Sequence, residues 1–330
     1  MTYRPSLQPA VAAVRLAVRG GLDAVTDGDS VIVGLSGGAD SLALTAATVF
    51  EAARRRITVV AVTVDHGLQE GSVDAADAAR RAAETLGATA RVVRVEVGAA
   101  GGPEAAARDA RYRALRDTAR EEGAAAILTG HTLDDQAETV LLGLARGSGA
   151  ASLQGMAAAS DLDGVPLLRP LLGLRRETTR AACAAEGLTP WDDPHNADAR
   201  FARVRVRERV LPVLEAELGP GIAEALARTA EQLREDAAAF DEMIDETIED
   251  IVEHAEAGIA VSIAALAANP PALRHRIIRH VVAAEFGESL TRAQTLEVAR
   301  LVTAWSGQGP LDLPACRAAR VGGRVVFTAR

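Results

Sequence analysis

Residues 30–169 alternate short runs of β-branched residues with longer segments rich in Ala, Arg, Glu and Leu, and this alternation constrains the fold more than any other feature. Strands joined by helical crossovers pair in parallel, and right-handed crossovers place helices on both faces of the sheet. Strands are read at 31–35, 57–64, 88–97, 124–130 and 165–170, with helices at 40–55, 72–87, 103–122 and 133–146. The expected fold class is α/β, an open parallel sheet with helices on both faces. Ligands of such sheets bind beyond the carboxyl ends of the strands, so the residues just after each strand carry the most information about function.

Beyond PLLGLRRET the character changes. Residues 171–218 read as helical, and 219–256 as a long acidic amphipathic stretch. Its apolar positions Ile222, Leu226, Leu233, Phe240, Ile244, Ile248 and Ile251 recur on one helical face. Further helices are expected at 270–285 and 291–304, then a hairpin around Gly322-Gly323. Gly and Pro in LGPG, residues 218–221, set the expected boundary between a catalytic domain over 1–218 and a mainly helical domain over 219–330.

VIVGLSGGADSLAL, residues 31–44, is a buried strand, a glycine-rich turn and a helix start. Gly37 and Gly38 let the backbone approach an anion, the following helix presents its positive end, and Ser36 and Ser41 add hydroxyl donors. These are the parts of a phosphate cradle. A Walker motif is excluded because the chain contains no lysine, all 36 Lys+Arg positions being arginine, and GxGxxG is absent. ILTGHTLDDQAETVLLGLARGSG, residues 127–149, repeats the strand, turn and helix order and delivers Gly130, His131, Asp134 and Asp135 to the same sheet edge. Thr132 and Asp135 suit a capping box, yet two adjacent carboxylates exceed what capping needs.

SGGADS (36–41) resembles the pyrophosphate-binding loop of the N-type ATP pyrophosphatases, and GHTLDDQAET with LARGSG is similar to the corresponding segment of tRNA(Ile)-lysidine synthases. VTVDHGLQEGS (62–72), LLRPLLGLRRET (167–178) and WDDPHNADARFARVRVRERVLPVLE (191–215) resemble the same family, with Val204 standing where its pattern has Asn. The resemblance implies ATP as substrate with Mg²⁺. It places Ser36, Gly37, Gly38, Ala39, Asp40, Ser41, Asp65, His66, Gly130 and His131 around the nucleotide. Asp40 and Asp135 become the catalytic and metal-binding carboxylates, with Asp134 as a further metal candidate. It also implies ligation of free L-lysine to the wobble cytidine of a tRNA(Ile) with a CAU anticodon, through an adenylated tRNA.

A formal charge of −9 fits poorly with an RNA partner until its distribution is considered. Residues 215–256 hold fourteen acidic residues against Arg228 and Arg234, a local −12 that leaves +3 for the remainder. Arg203, Arg205 and Arg207 alternate with Val204 and Val206, which suits a segment that buries one side and offers guanidinium forks on the other. With Arg169 they are the candidate tRNA contacts. The C-terminal region is read either as a grip on the tRNA or as the contact of a homodimer.

Hydrophobic residues at 48% and charged residues at 25% describe a globular chain, and aromatics at 3% require a core of Ala, Val, Leu and Ile. Arg15 and Arg19 interrupt the apolar pattern at the N-terminus, and Cys183 and Cys316 form no CxxC, so a soluble cytoplasmic protein without membrane association is expected. Isolated cysteines disfavour tRNA thiolation. Another amidating ligase would share only the first loop, and a non-enzymatic ATP sensor would have no use for paired carboxylates.

Overall fold

The computed structural model describes residues 8–67, 71–98, 102–147, 149–193, 198–255 and 258–330. Two compact units divide the chain, residues 1–233 and 234–330.

In the first unit, α1 (Pro9–Gly21) precedes β1 (Ser30–Gly34), α2 (Ala39–Arg55), β2 (Thr58–Asp65), α3 (Ser72–Leu86), β3 (Thr89–Arg94), α4 (Pro103–Glu121), β4 (Ala126–Leu128) and α5 (Leu133–Arg146). After these come α6 (Ala150–Leu153), β5 (Ala159–Leu162), β6 (Val165–Leu168) and α7 (Arg176–Ala185). The strand order is β3-β2-β1-β4-β6-β5. All neighbours are parallel except the edge hairpin β5-β6. This is the expected open parallel sheet. Alternate residues of β1 face opposite cores: Val31 and Val33 pack with Leu42, Leu44 and Val18, whereas Ile32 packs with Tyr112, Leu115 and Ile127. Helices α1, α2, α3 and α7 thus cover one face and α4 the other. The sequence reading did not include α1. Val11, Val14 and Val18 bury its inner stripe, while Arg15 and Arg19 reach Glu186 and Glu51 from its flank.

The chain continues through α8 (Ala202–Arg205), a π turn (Val206–Val210) and α9 (Leu211–Leu218). Pro212 explains the wide turn: it has no N–H to donate, and its ring would clash with the carbonyl four residues earlier in a regular helix. The division between the units falls inside α10 (Ile222–Ile251), C-terminal to LGPG. Its buried residues Ala223, Ala230, Ala237, Ile244 and Ile251 recur every seventh position, so the small alanines lie at the centre of the stripe that the larger apolar residues flank.

The second unit then contains β7 (Val252–Ala255), β8 (Gly258–Ser262), α11 (Ile263–Ala268), α12 (Pro271–Phe286), α13 (Arg292–Thr303), β9 (Leu311–Asp312), β10 (Cys316–Val321) and β11 (Arg324–Ala329). The terminal hairpin turns at Gly322-Gly323, as read from sequence. It belongs to a five-stranded antiparallel sheet, β7-β8-β11-β10-β9, which the mainly helical reading did not include. Its outer strands are short, and β7 was read as the end of the acidic helix, which stops at Ile251 instead of continuing to 256. Phe327, Val325, Ala318 and Cys316 form the floor on which Ile277, Ile278, Val281 and Val282 pack. Among the described residues no helix is long and apolar enough to cross a membrane.

Candidate active site

The glycine turn leaves β1 at the centre of the sheet and opens α2. Gly37 has φ +83°, which a side chain would strain, and its carbonyl accepts Trp191 N–H at 3.0 Å. Ser41 Oγ accepts from Ser36 N–H at 3.1 Å and donates to Gly38 O at 2.9 Å, which holds the turn closed. Gly38 is the N-cap of α2 and supplies no side-chain capping bond, so the first-turn N–H groups of Ala39, Asp40 and Ser41 point outward without a side-chain acceptor. That is the donor set an oxyanion of ATP requires at a helix N-terminus.

Gly130 ends the neighbouring strand segment against this turn, where a Cβ would lie 2.9 Å from the backbone carbon and oxygen of Asp40. Only a glycine lets the two loops approach this closely. The contact places α5 beside α2 and brings their first-turn carboxylates to one cation. Arg176, at the start of α7, sets Nε 3.5 Å from Asp40 Oδ2 and Nη2 3.0 Å from Asp135 Oδ1. Thr179 Oγ1 donates to Asp40 Oδ1. Asp135 also closes the capping box foreseen for α5, its Oδ2 accepting Thr132 N–H at 2.8 Å and the Thr132 hydroxyl at 3.0 Å.

The two carboxylates differ electrostatically. Burial drives Asp40 above the ordinary carboxylate range, and Thr179 and Arg176 offset this only in part. Asp135 is also buried, yet the guanidinium groups of Arg176 and Arg203 hold it below that range. Burial, with Arg111 and Arg169 nearby, lowers His131 to about 3, so its ring is neutral, with Nδ1 at 3.0 Å from Thr129 Oγ1. His66 is lowered for the same reason, and its Nδ1 is buried without a partner. Asp65 ends β2 and accepts Gly67 N–H at 2.9 Å, with Arg94 at 3.7 Å.

Asp134 goes elsewhere. Its Oδ2 accepts Arg176 N–H at 2.7 Å and its Oδ1 meets Arg175 Nη1 at 3.3 Å, so this carboxylate caps α7 and is not paired with Asp40. The arginine segment is helical, which changes the reading of its alternation. Arg203 and Arg207 lie one turn apart and both turn inward to Glu138, Arg203 Nε at 2.7 Å and Arg207 Nε at 2.7 Å. Arg205 lies on the opposite side and donates to the carbonyls of Ala199 and Arg200 at 2.8 and 2.7 Å. Val204, where the family pattern has Asn, is buried. Residues 194–197 of the quoted segment lie outside the described residues.

Glu138 and Arg176 were absent from the sequence-based candidates. Glu138 is fully buried and receives Arg176, Arg203 and Arg207, which joins α5, α7 and α8 with the π turn. The signal was present three residues after Asp135, since i and i+3 share a helical face and a carboxylate there points the same way. For Arg176 there was no local signal beyond its place in the LLRPLLGLRRET segment. Glu215 was likewise missed. It accepts the N–H groups of Gly221, Ile222 and Ala223 at 2.7, 3.2 and 3.1 Å and so caps α10, and those bonds hold its carboxyl below the usual range.

A PP-loop domain family matches residues 18–214, and a second family, described as the TilS substrate binding domain, matches residues 262–326. The tRNA(Ile)-lysidine synthase of Leifsonia xyli subsp. xyli is 60% identical over 302 residues, 91% of this chain and 90% of that protein. The chain belongs to the tRNA(Ile)-lysidine synthases. Other tRNA(Ile)-lysidine synthases match along nearly the whole chain as well, that of Salinispora tropica at 52% identity over 94% of this chain and 93% of its own length, and that of Thermobifida fusca at 49% over 94% and 95%. A solved U34-tRNA thiolase from Methanococcus maripaludis, holding a [4Fe-4S] cluster, shares the fold at TM-score 0.59 and 21% identity, covering 68% of this chain and 79% of that one. In the present chain Cys183 is buried, donates to Ala39 O at 3.3 Å and is raised by burial to about 11, which makes it a packed thiol and not a ready nucleophile.

Proposed function

We propose that the chain joins free L-lysine to C2 of the wobble cytidine in a tRNA(Ile) with a CAU anticodon, using ATP and releasing AMP and pyrophosphate. The cytidine O2 attacks the α-phosphorus of ATP and pyrophosphate leaves. The lysine ε-amine then attacks C2, the C2–O bond breaks with AMP as leaving group, and the amine loses its proton. The observation that carries this reading is the convergence of Asp40 and Asp135 on one cation, Arg176, at the foot of an uncapped glycine turn.

Pyrophosphate would sit on the first-turn N–H groups of α2, with Ser36 and Ser41 fixing the turn. Asp40 and Asp135 would hold Mg²⁺, since two carboxylates already bridged by a cation suit an ion that takes most of its remaining ligands from phosphates and water. Bound there, Mg²⁺ supplies charge neutralisation to the leaving pyrophosphate. His131 stays neutral and acts as a hydrogen-bonding or stacking group instead of a cation. Residues 1–218 would carry the chemistry, and 219–330 would hold the tRNA or pair two copies. The target base must leave its stack to reach the site.

The deciding experiment incubates the protein with ATP, Mg²⁺, L-lysine and the CAU-anticodon transcript, then analyses the digested nucleosides by mass spectrometry. A cytidine heavier by one lysyl group, with one AMP per event, is the expected product. Unmodified cytidine from a folded, ATP-binding protein overturns the reading.

A further inference from the structure

The two carboxylates at the foot of the glycine turn are held in the same way. Asp135 Oδ2 accepts the Thr132 hydroxyl at 3.0 Å and the Thr132 N–H at 2.8 Å, while its Oδ1 turns to Arg176 Nη2 at 3.0 Å. Asp40 Oδ1 accepts the Thr179 hydroxyl, while its Oδ2 turns to Arg176 Nε at 3.5 Å. Each carboxylate therefore keeps one oxygen on a threonine and the other on the shared cation. Both threonines are 0% exposed, so neither hydroxyl can exchange its protein partner for bulk water.

Thr132 is accounted for by the capping box of α5. Thr179 has no such role. It lies inside α7, three residues after Arg176, and its hydroxyl also reaches the Arg176 carbonyl at 2.7 Å. A helical threonine commonly bonds back to a carbonyl one turn earlier, and that contact alone would make Thr179 ordinary. A hydroxyl has one proton, however, and this one has two acceptors, one of them a carboxylate that arrives from α2. The charged acceptor is the stronger of the two. Burial by itself would be served as well by valine, which has the same branching and no hydroxyl. The contact of Asp40 with Arg176 is the looser one, and Arg176 has Asp135 and Glu138 as further partners at 3.0 and 3.3 Å. Asp40 Oδ2 is thus the oxygen that can change partner, and Oδ1 the one that is fixed.

We infer that Thr179 is a positioning residue for Asp40: its hydroxyl fixes Oδ1 and so presents Oδ2, with Asp135 Oδ1, to the Mg²⁺ that accompanies ATP. The inference rests on the reading in which Asp40 and Asp135 hold that ion. Without the hydroxyl the carboxylate can turn about its Cβ–Cγ bond and offer either oxygen, and binding the ion must then order it. Mg²⁺ is sensitive to such a loss because it demands near-ideal octahedral geometry. Groups that orient a metal ligand in this way commonly matter nearly as much as the ligand itself.

The test titrates the full-length protein with Mn²⁺ in the presence of α,β-methylene-ATP, which cannot be split between its α and β phosphates, and counts free Mn²⁺ by electron paramagnetic resonance. Thr179→Val should raise the Kd for Mn²⁺ by ~10-fold, the low end of the cost of removing a group that orients a metal ligand. Thr179→Ser keeps the hydroxyl and should restore most of the lost affinity. Calorimetric binding of the same nucleotide in EDTA should be equal in all three proteins, because the hydroxyl does not touch the N–H groups of α2. In the complete reaction, the Mg²⁺ concentration for half-maximal AMP formation should rise in parallel with the Kd, while kcat at saturating Mg²⁺ changes little. Should Thr179→Val fail to fold, Thr179→Ala set against Thr179→Ser makes the same comparison.

Three results overturn the inference: an unchanged Kd for Mn²⁺ in Thr179→Val, a Thr179→Ser protein as weak as Thr179→Val, or an equal loss of nucleotide binding in EDTA, which assigns Thr179 to packing alone. A wild-type complex that holds no Mn²⁺ beyond what the free nucleotide binds instead removes the reading of Asp40 and Asp135 as metal ligands, and the inference falls with it.

Discussion

At the residue scale the site is defined by what each charge touches. Asp40 is driven above its ordinary range, so its charged form is disfavoured in the fold. An acid raised in this way contributes stability below its unfolded pKa and loses it as pH rises through the folded value. Asp40→Asn should therefore abolish AMP formation while raising the melting temperature at neutral pH, and a lower melting temperature would contradict the desolvation account. The histidines act in the opposite direction. His131 at about 3 and His66, also lowered, contribute stability above about 6.5, and it is lost as pH falls below that value. The unfolding free energy should fall as pH drops from about 6.5 to 5.5, by up to ~1.4 kcal/mol per pH unit for His131, and His131→Gln should flatten the curve. Glu138→Ala removes the buried carboxylate shared by three guanidinium groups, leaving them on Asp135, and should cost ~3–5 kcal/mol in chemical denaturation. Arg205→Ala, on the outer side, should change stability by ~0.5 kcal/mol or less.

At the scale of elements, the site is assembled from helix starts. α2 and α5 present their first turns side by side because Gly130 has no Cβ, and α7 adds Arg176 across both. Gly130→Ala should push the two loops apart, destabilise the unit by ~1–3 kcal/mol and weaken ATP binding in a calorimetric titration. Unchanged ATP affinity would mean that the turn relaxes without moving the N–H groups of α2. The same scale shows why the arginine segment was misjudged in detail. A run of Arg-Val-Arg-Val-Arg reads equally well with a period of two or 3.6. In the helix, positions 203 and 207 share one face and 205 does not, so the three cannot form one basic stripe. Only Arg205 keeps a position on the outer side. Arg205→Ala should therefore test the RNA contact without disturbing Glu138, with the salt slope of tRNA binding reduced by about 0.7 if it neutralises a phosphate of a single-stranded loop.

At the scale of the whole molecule, the net charge of −9 coexists with a tRNA partner because the acid is gathered in one stretch. Raising the salt from about 50 to 200 mM should weaken tRNA binding by orders of magnitude if several phosphates are neutralised, and a flat response would remove the electrostatic contribution. The parallel sheet, its strand ends and the two glycine turns were legible in the sequence because backbone propensity and local periodicity determine them within a few residues. The capping box at Thr132 and Asp135 and the hairpin at Gly322-Gly323 were legible for the same reason. The antiparallel sheet of the second unit was not, since its edge strands are too short to show a period and their pairing joins residues far apart in the chain. The amino-acid sequence by itself therefore determined which loops meet at the sheet edge and that they carry Asp40 and Asp135. Only the tertiary structure decided that Arg176 bridges those carboxylates and that Glu138 gathers three arginines. Pairings of that kind depend on which side chains burial brings together across α2, α5, α7 and α8, and no local pattern in the chain records them.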